Sequence, residues 1–95
     1  MFVILLKFST NKDQAGQFME GHNAWIQQGI EDGVFLLVGS LQPSAGGAIV
    51  AHDISLPDLQ SRLRADPFVV EKIVSTEVLD IRPTCADDRL KFLIN

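Results

Sequence analysis

The chain has 95 residues, 46% of them apolar, which is enough for one small hydrophobic core and too little for two domains. Twelve acidic residues against eight basic ones give a net charge of −4, and the basic residues are scattered from Lys7 to Lys91. That excludes a phosphate-binding surface and, with it, a nucleic-acid partner.

Cys85 is the single cysteine, so an internal disulfide and a thiolate metal cluster are excluded, and a reducing, cytoplasmic location is expected. The opening run FVILLKF is too short to cross a bilayer and lacks the flanks of a cleaved leader, so no membrane partner is expected. Within it, Val3 to Phe8 joins β-branched and aromatic residues ahead of the polar Ser9, Thr10 and Asn11, the pattern of a strand.

Thr10 followed by Asp13 predicts a capping box at the start of a helix. From Ala15 through Phe18, Met19, His22, Trp25, Ile26 and Gly29 to Ile30, positions recur at three- and four-residue steps, with Gln17, Glu20, Gln27 and Glu31 on the opposite side. Gly33 ends this helix, and Val34 to Leu41 is the second strand. Gly39 inside that strand predicts a bulge or a close backbone approach.

Pro43 to Gly47 is a turn-forming cluster, which makes Ala48 to Ile54 an antiparallel hairpin partner. Ser55 with Asp58 marks a second helix start, with Pro57 in its first turn and an inner stripe of Leu56, Leu59, Leu63 and Asp66. Pro67 breaks that helix before a last strand over Ile73 to Pro83, whose Glu77, Asp80 and Arg82 suit a sheet edge. Residues 84–95 form a C-terminal extension of a single domain spanning 1–95.

The order β-α-β-β-α-β predicts an α+β, ferredoxin-like fold, a four-stranded antiparallel sheet with two helices on one face. The first three strands are apolar on both faces, with Phe2, Ile4, Leu6 and Phe8 opposite Val3 and Leu5 in the first. Two helices cover only one of those faces, so a homodimer made by sheet-on-sheet packing is expected.

Two polar residues interrupt the apolar stripes. His22 sits at the centre of the first helix's inner face and Asp66 at the end of the second's, so both point into the layer between helices and sheet. A carboxylate that accepts a hydrogen bond from one imidazole nitrogen fixes the tautomer and leaves the other nitrogen as a base. The bland readings are a core histidine bonded to backbone, and an Asp before Pro that only caps a helix; the capping role and the pairing role are compatible.

Trp25, on the face of His22, is either core or one wall of a pocket for a small ligand. Ser40 is a candidate ligand contact, and Lys7 and His52, which alternate with apolar residues on their strands, are candidates for a cavity mouth. No paired-histidine spacing supports a metal site, and no GxGxxG, P-loop or serine-nucleophile motif is present, so neither a metal nor a cofactor is expected.

The opening strand, His22-Asn23-Ala24-Trp25-Ile26 in the first helix, Leu37-Val38-Gly39 in the second strand and Ala65-Asp66-Pro67-Phe68-Val69 before the last occur in an order that resembles the YCII-related (YciI-like) family over about residues 1–83. The resemblance implies a dimeric α+β barrel with a cleft between helices and sheet in each chain. It also implies that the family's His and Asp, proposed as a catalytic pair, fall on His22 and Asp66. Proteins resembling this family, and neighbours on the same barrel fold, carry out lyase, dehalogenating or isomerase steps on small ring compounds in catabolism.

Two functional hypotheses follow from the sequence. In the first, the chain is a cofactor-independent enzyme in which His22 is the general base and acid, Asp66 orients it, and Trp25 and Phe68 line an apolar cleft for a small cyclic or enolisable substrate. In the alternative, it is a non-catalytic ligand-binding or interaction module in which His22 and Asp66 only tie helices together.

Overall fold

The computed structural model describes residues 1–94, and the order of elements follows the hydrophobic periods of the chain. Strand β1 (Phe2–Phe8) leads to helix α1 (Ala15–Glu31), the β2 (Phe35–Leu41) and β3 (Gly46–Ala51) hairpin, helix α2 (Leu56–Leu63), a one-turn helix α3 (Pro67–Val70) and strand β4 (Val74–Asp80). The strands form one antiparallel sheet in the order β2-β3-β1-β4, the expected α+β, ferredoxin-like arrangement with α3 added.

Alternation along β1 sets the two faces. Phe2, Ile4 and Leu6 are buried beneath the helices, while Val3 and Leu5 are half-buried and Lys7 is exposed on the other side. Ile4 lies opposite both Ile49 and Val78, and these rows meet Leu59, Leu63, Phe68 and Ile73 in one core.

The expected capping box at Thr10 and Asp13 does not form. Ser9 and Asn11 donate their main-chain amides to Ile73 and Lys72, and Asn11 turns its side-chain amide to the Glu71 carbonyl at 2.9 Å, so this segment is bound to the end of α3. A 3-10 turn over Lys12–Gln14 intervenes, and α1 starts at Ala15 with no side-chain cap. The other helix signals hold: Gly33 follows α1 at φ +74°, and the Ser55 hydroxyl accepts from the Asp58 amide at 3.2 Å.

Three stripe positions come out exposed rather than buried. Met19, Ile30 and Leu56 keep more than a third of their surface in solvent, Met19 beside the cavity between α1 and the sheet. Close packing of α1 is carried instead by Gly29, where an added Cβ would come within 2.2 Å of the Phe35 ring.

The bulge expected at Gly39 lies three residues earlier. Pairing with β3 shifts between Phe35 and Leu37, so Leu36 is the extra residue. Beyond it the alternation is reversed: Val38 and Ser40 lie opposite Ile49 and Gly47 and face the helices, and Leu37 faces outward, 65% exposed. The outer sheet face therefore presents Val3, Leu5, Leu37, Val50 and Leu79, with no layer of helices over it among the described residues.

Residues 84–94 leave the sheet and end in a 3-10 segment over Asp88–Leu93, where the Phe92 ring meets His52 edge to face at 5.5 Å.

Candidate active site

Asp66 and Pro67 form the junction between α2 and α3. Proline cannot continue α2, and its fixed φ suits the first position of a new helix, so the chain turns at Asp66 with φ −69° and ψ 123° and restarts. The Asp66 side chain caps that restart: Oδ1 accepts from the Phe68 amide at 3.0 Å. The residue is completely buried.

Helix α1 lays His22 across this junction. Gly21, one residue earlier, makes the approach possible, since a Cβ there would stand 3.1 Å from Pro67 Cγ. The His22 imidazole then lies in hydrogen-bond reach of the capping oxygen, Nδ1 to Asp66 Oδ1 at 2.8 Å. An ionised carboxylate only accepts, so Nδ1 carries the proton and donates it to Oδ1. Asp66 thus caps α3 and holds the histidine with one and the same oxygen. Its other oxygen, Oδ2, is buried and has no hydrogen-bond partner among the described residues.

On the opposite side of the ring, Nε2 has no hydrogen bond to any described residue, and the side chain keeps 11% exposure. His22 reaches solvent through a cavity of about 240 Å³ between α1 and the sheet. Leu6 and Phe8 of β1, Val38 of β2, Ile49 of β3 and Ile26 of α1 make it apolar, and Asn23 and Ser40 are the uncharged polar side chains at its edge. A cavity of about 150 Å³ holds benzene, so this one accommodates a substituted single ring.

The remaining candidates fall in different places. Phe68 lines the cavity, but its ring is stacked on the imidazole, centroids 3.9 Å apart and planes within 3°. The Trp25 ring centroid lies 6.0 Å from that of His22; its indole N–H donates to the Arg62 carbonyl at 2.9 Å and its edge meets Phe35, so it lines a shallow groove between α1 and α2 rather than the cavity. Lys7 points to the outer sheet face, paired with Glu77 at 3.2 Å. His52 is at the far end of β3, its Nε2 3.0 Å from the Gly33 carbonyl. Lys7 and His52 are thus separated from His22 by the sheet and by its length, and among the described residues no three His, Cys, Asp or Glu side chains gather as a metal site would require.

The cavity also recruits residues that the sequence reading did not single out. Asn23 follows His22 directly on the helix, and its adjacency was the available signal. Gly46 and Gly47 enter because β3 begins beside β1 with no side chains to fill the space, and Gly46 at φ +126° packs against the Leu6 carbonyl.

No family model matches the chain, and no curated protein sequence does. Among solved structures the fold is similar to that of 5-chloro-2-hydroxyhydroquinone dehydrochlorinase (TftG) from Burkholderia phenoliruptrix AC1100, described in complex with 2,5-dihydroxybenzoquinone. The match has a TM-score of 0.69 at 13% identity and covers 85% of this chain and 93% of that one. At that identity the likeness establishes the shared architecture, a four-stranded antiparallel sheet with helices on one face, and a small-molecule enzyme stands among the proteins built on it.

Proposed function

We propose that the chain is a small-molecule enzyme of the YCII-related kind that uses His22 for proton transfer without a bound cofactor. The observation that carries this reading is a histidine whose Nδ1 is held on a buried carboxylate at 2.8 Å while Nε2 has no hydrogen-bond partner among the described residues and lies beside an apolar cavity. Nε2 removes a proton from a C–H or O–H of the substrate. Asp66, whose Oδ1 faces Nδ1, stabilises the imidazolium that results.

From that state two outcomes are chemically complete. In an isomerisation, the imidazolium returns the proton to a different atom of the same substrate. In an elimination, the electron pair of the broken C–H bond forms the new double bond, the leaving group departs with its own pair, and the imidazolium passes its proton to solvent. The volume of the cavity and its apolar walls favour a substituted cyclic substrate, with Asn23 and Ser40 as hydrogen-bonding partners for its oxygens.

The working assembly in this reading is a cytoplasmic homodimer joined through the outer sheet faces, each chain a single YCII-like domain over 1–95 with 84–95 as its C-terminal extension. No helix among the described residues is long and apolar enough to cross a membrane.

The test starts from 2,5-dihydroxybenzoquinone as a probe, titrated into 15N-labelled protein. The amides of His22, Asn23 and Ser40 are expected to shift together, and halogenated hydroxyhydroquinones are expected to lose halide in the presence of wild type but not His22→Gln. Shifts confined to other surfaces, or equal halide release by His22→Gln, would overturn the reading and favour a structural pair that ties α1 to α3.

A further inference from the structure

We infer that Phe68 is a positioning residue for His22, holding the imidazole in the one orientation that presents Nε2 to the cavity. The inference deepens the acid/base reading and takes its functional meaning from it. Phe68 is 5% exposed, so little of its ring is available to a ligand. One residue acts on both members of the pair: its amide binds Asp66 Oδ1 at 3.0 Å, and its ring lies parallel to the imidazole at 3.9 Å.

The geometry says why both contacts matter. A hydrogen bond from Nδ1, which lies off the Cβ–Cγ axis, opposes a full flip of the imidazole about that bond but tolerates a small pivot that bends the bond only slightly. Such a pivot carries ring atoms out of plane, and at 3.9 Å with planes within 3° the phenyl ring stands in their way. The N–H bond to Oδ1 meanwhile holds the acceptor still. Gly21 and Pro67 complete the arrangement, because the close approach of α1 to α3 sets the stacking distance. A Cβ at 21 would stand 3.1 Å from Pro67 Cγ and require α1 or the proline ring to give by a few tenths of an ångström.

The experiment uses the whole chain and needs no substrate. Imidazole 15N–1H correlations of His22 are recorded in wild type, Phe68→Leu and Phe68→Tyr, with the amide fingerprint as a check on the fold. Wild type and Phe68→Tyr, which keeps the ring, are expected to show one tautomer with Nδ1 protonated and a slowly exchanging Nδ1–H. Phe68→Leu, which keeps the amide bond to Asp66 and removes the ring, is expected to exchange that proton roughly 2- to 10-fold faster and to show a second ring state. An unchanged tautomer and exchange rate in a folded Phe68→Leu would overturn the inference. So would a rapidly exchanging Nδ1–H in wild type, a result independent of whether any variant folds. Equal halide release by wild type and His22→Gln, with the imidazole changes in Phe68→Leu as expected, would instead count against the acid/base reading alone.

Discussion

Asp66 caps α3 and holds His22 with one oxygen, and substitutions separate these contacts from its charge. Asn at this position keeps an oxygen for the Phe68 amide and for His22 Nδ1 but removes the charge. Asp66→Asn is therefore expected to fold and to lose roughly 10²- to 10⁴-fold in kcat, read with the halide-release assay. Asp66→Ala removes the cap as well and leaves a buried imidazole N–H without an acceptor. It is expected to lower stability by about 2–3 kcal/mol in urea unfolding. Similar stability of the two variants would mean that the carboxyl contributes little through its hydrogen bonds. At this scale, periodicity sufficed to put His22 on an inner face and Asp66 at the end of another. It did not reveal the stack with Phe68, because the contact depends on how closely two helices meet at Gly21.

At the scale of elements, the C-terminal end of α1 is held both by close packing and by polar ties. Gly29→Ala would place a methyl group against the buried Phe35 ring, and a cost of about 1–3 kcal/mol is expected from thermal unfolding, with α1 displaced from β2. Beyond its last turn, Asp32 accepts from the Gln28 amide at 2.8 Å and from Arg62 at 2.9 Å. The Gln28 hydrogen bond first, then that of Arg62, holds the Asp32 carboxyl below the usual carboxylate range. A folded-state value below the unfolded one means a stabilising contribution that is present above about pH 4 and lost as pH falls through the folded value. The Tm advantage of wild type over Asp32→Asn should therefore shrink on going from neutral pH to about pH 2; an advantage independent of pH would mean that ionisation plays no part.

The element scale also explains the misplaced details. A capping box is a local pattern, and Thr10 and Asp13 lost to main-chain pairing of residues 9–11 with Lys72 and Ile73, far away in sequence. The β2 bulge has no signature at Leu36, yet it decides that Ser40 and not Gly39 faces the helices. Lys7 and His52 alternate with apolar residues as a cavity-lining residue does, but alternation is the same on both faces of a sheet, and both proved to lie away from the cavity.

At the scale of the molecule, the outer sheet face remains to be covered. Leu37, on the edge strand β2, is 65% exposed, the most of any large apolar residue described. Sedimentation is expected to give the mass of two chains for wild type and of one for Leu37→Asp, with the cavity-side core intact. A wild-type monomer would remove the proposed dimer and leave the site in the single chain unaffected.

By itself, the sequence determined what depends on short-range periods: the succession of strands and helices, the sheet with one helical face, the breaks at Gly33 and Pro67, and the inward aim of His22 and Asp66. These follow from residue spacing and backbone restriction, which are properties of neighbouring positions. Only the tertiary structure decided that one carboxyl oxygen serves both cap and imidazole, that Phe68 lies flat on the ring, and that Trp25, Lys7 and His52 are outside the cavity. Those outcomes depend on the separation of α1 and α3, the phase of a bulged strand and the face a strand residue takes, which are set by packing between segments distant along the chain.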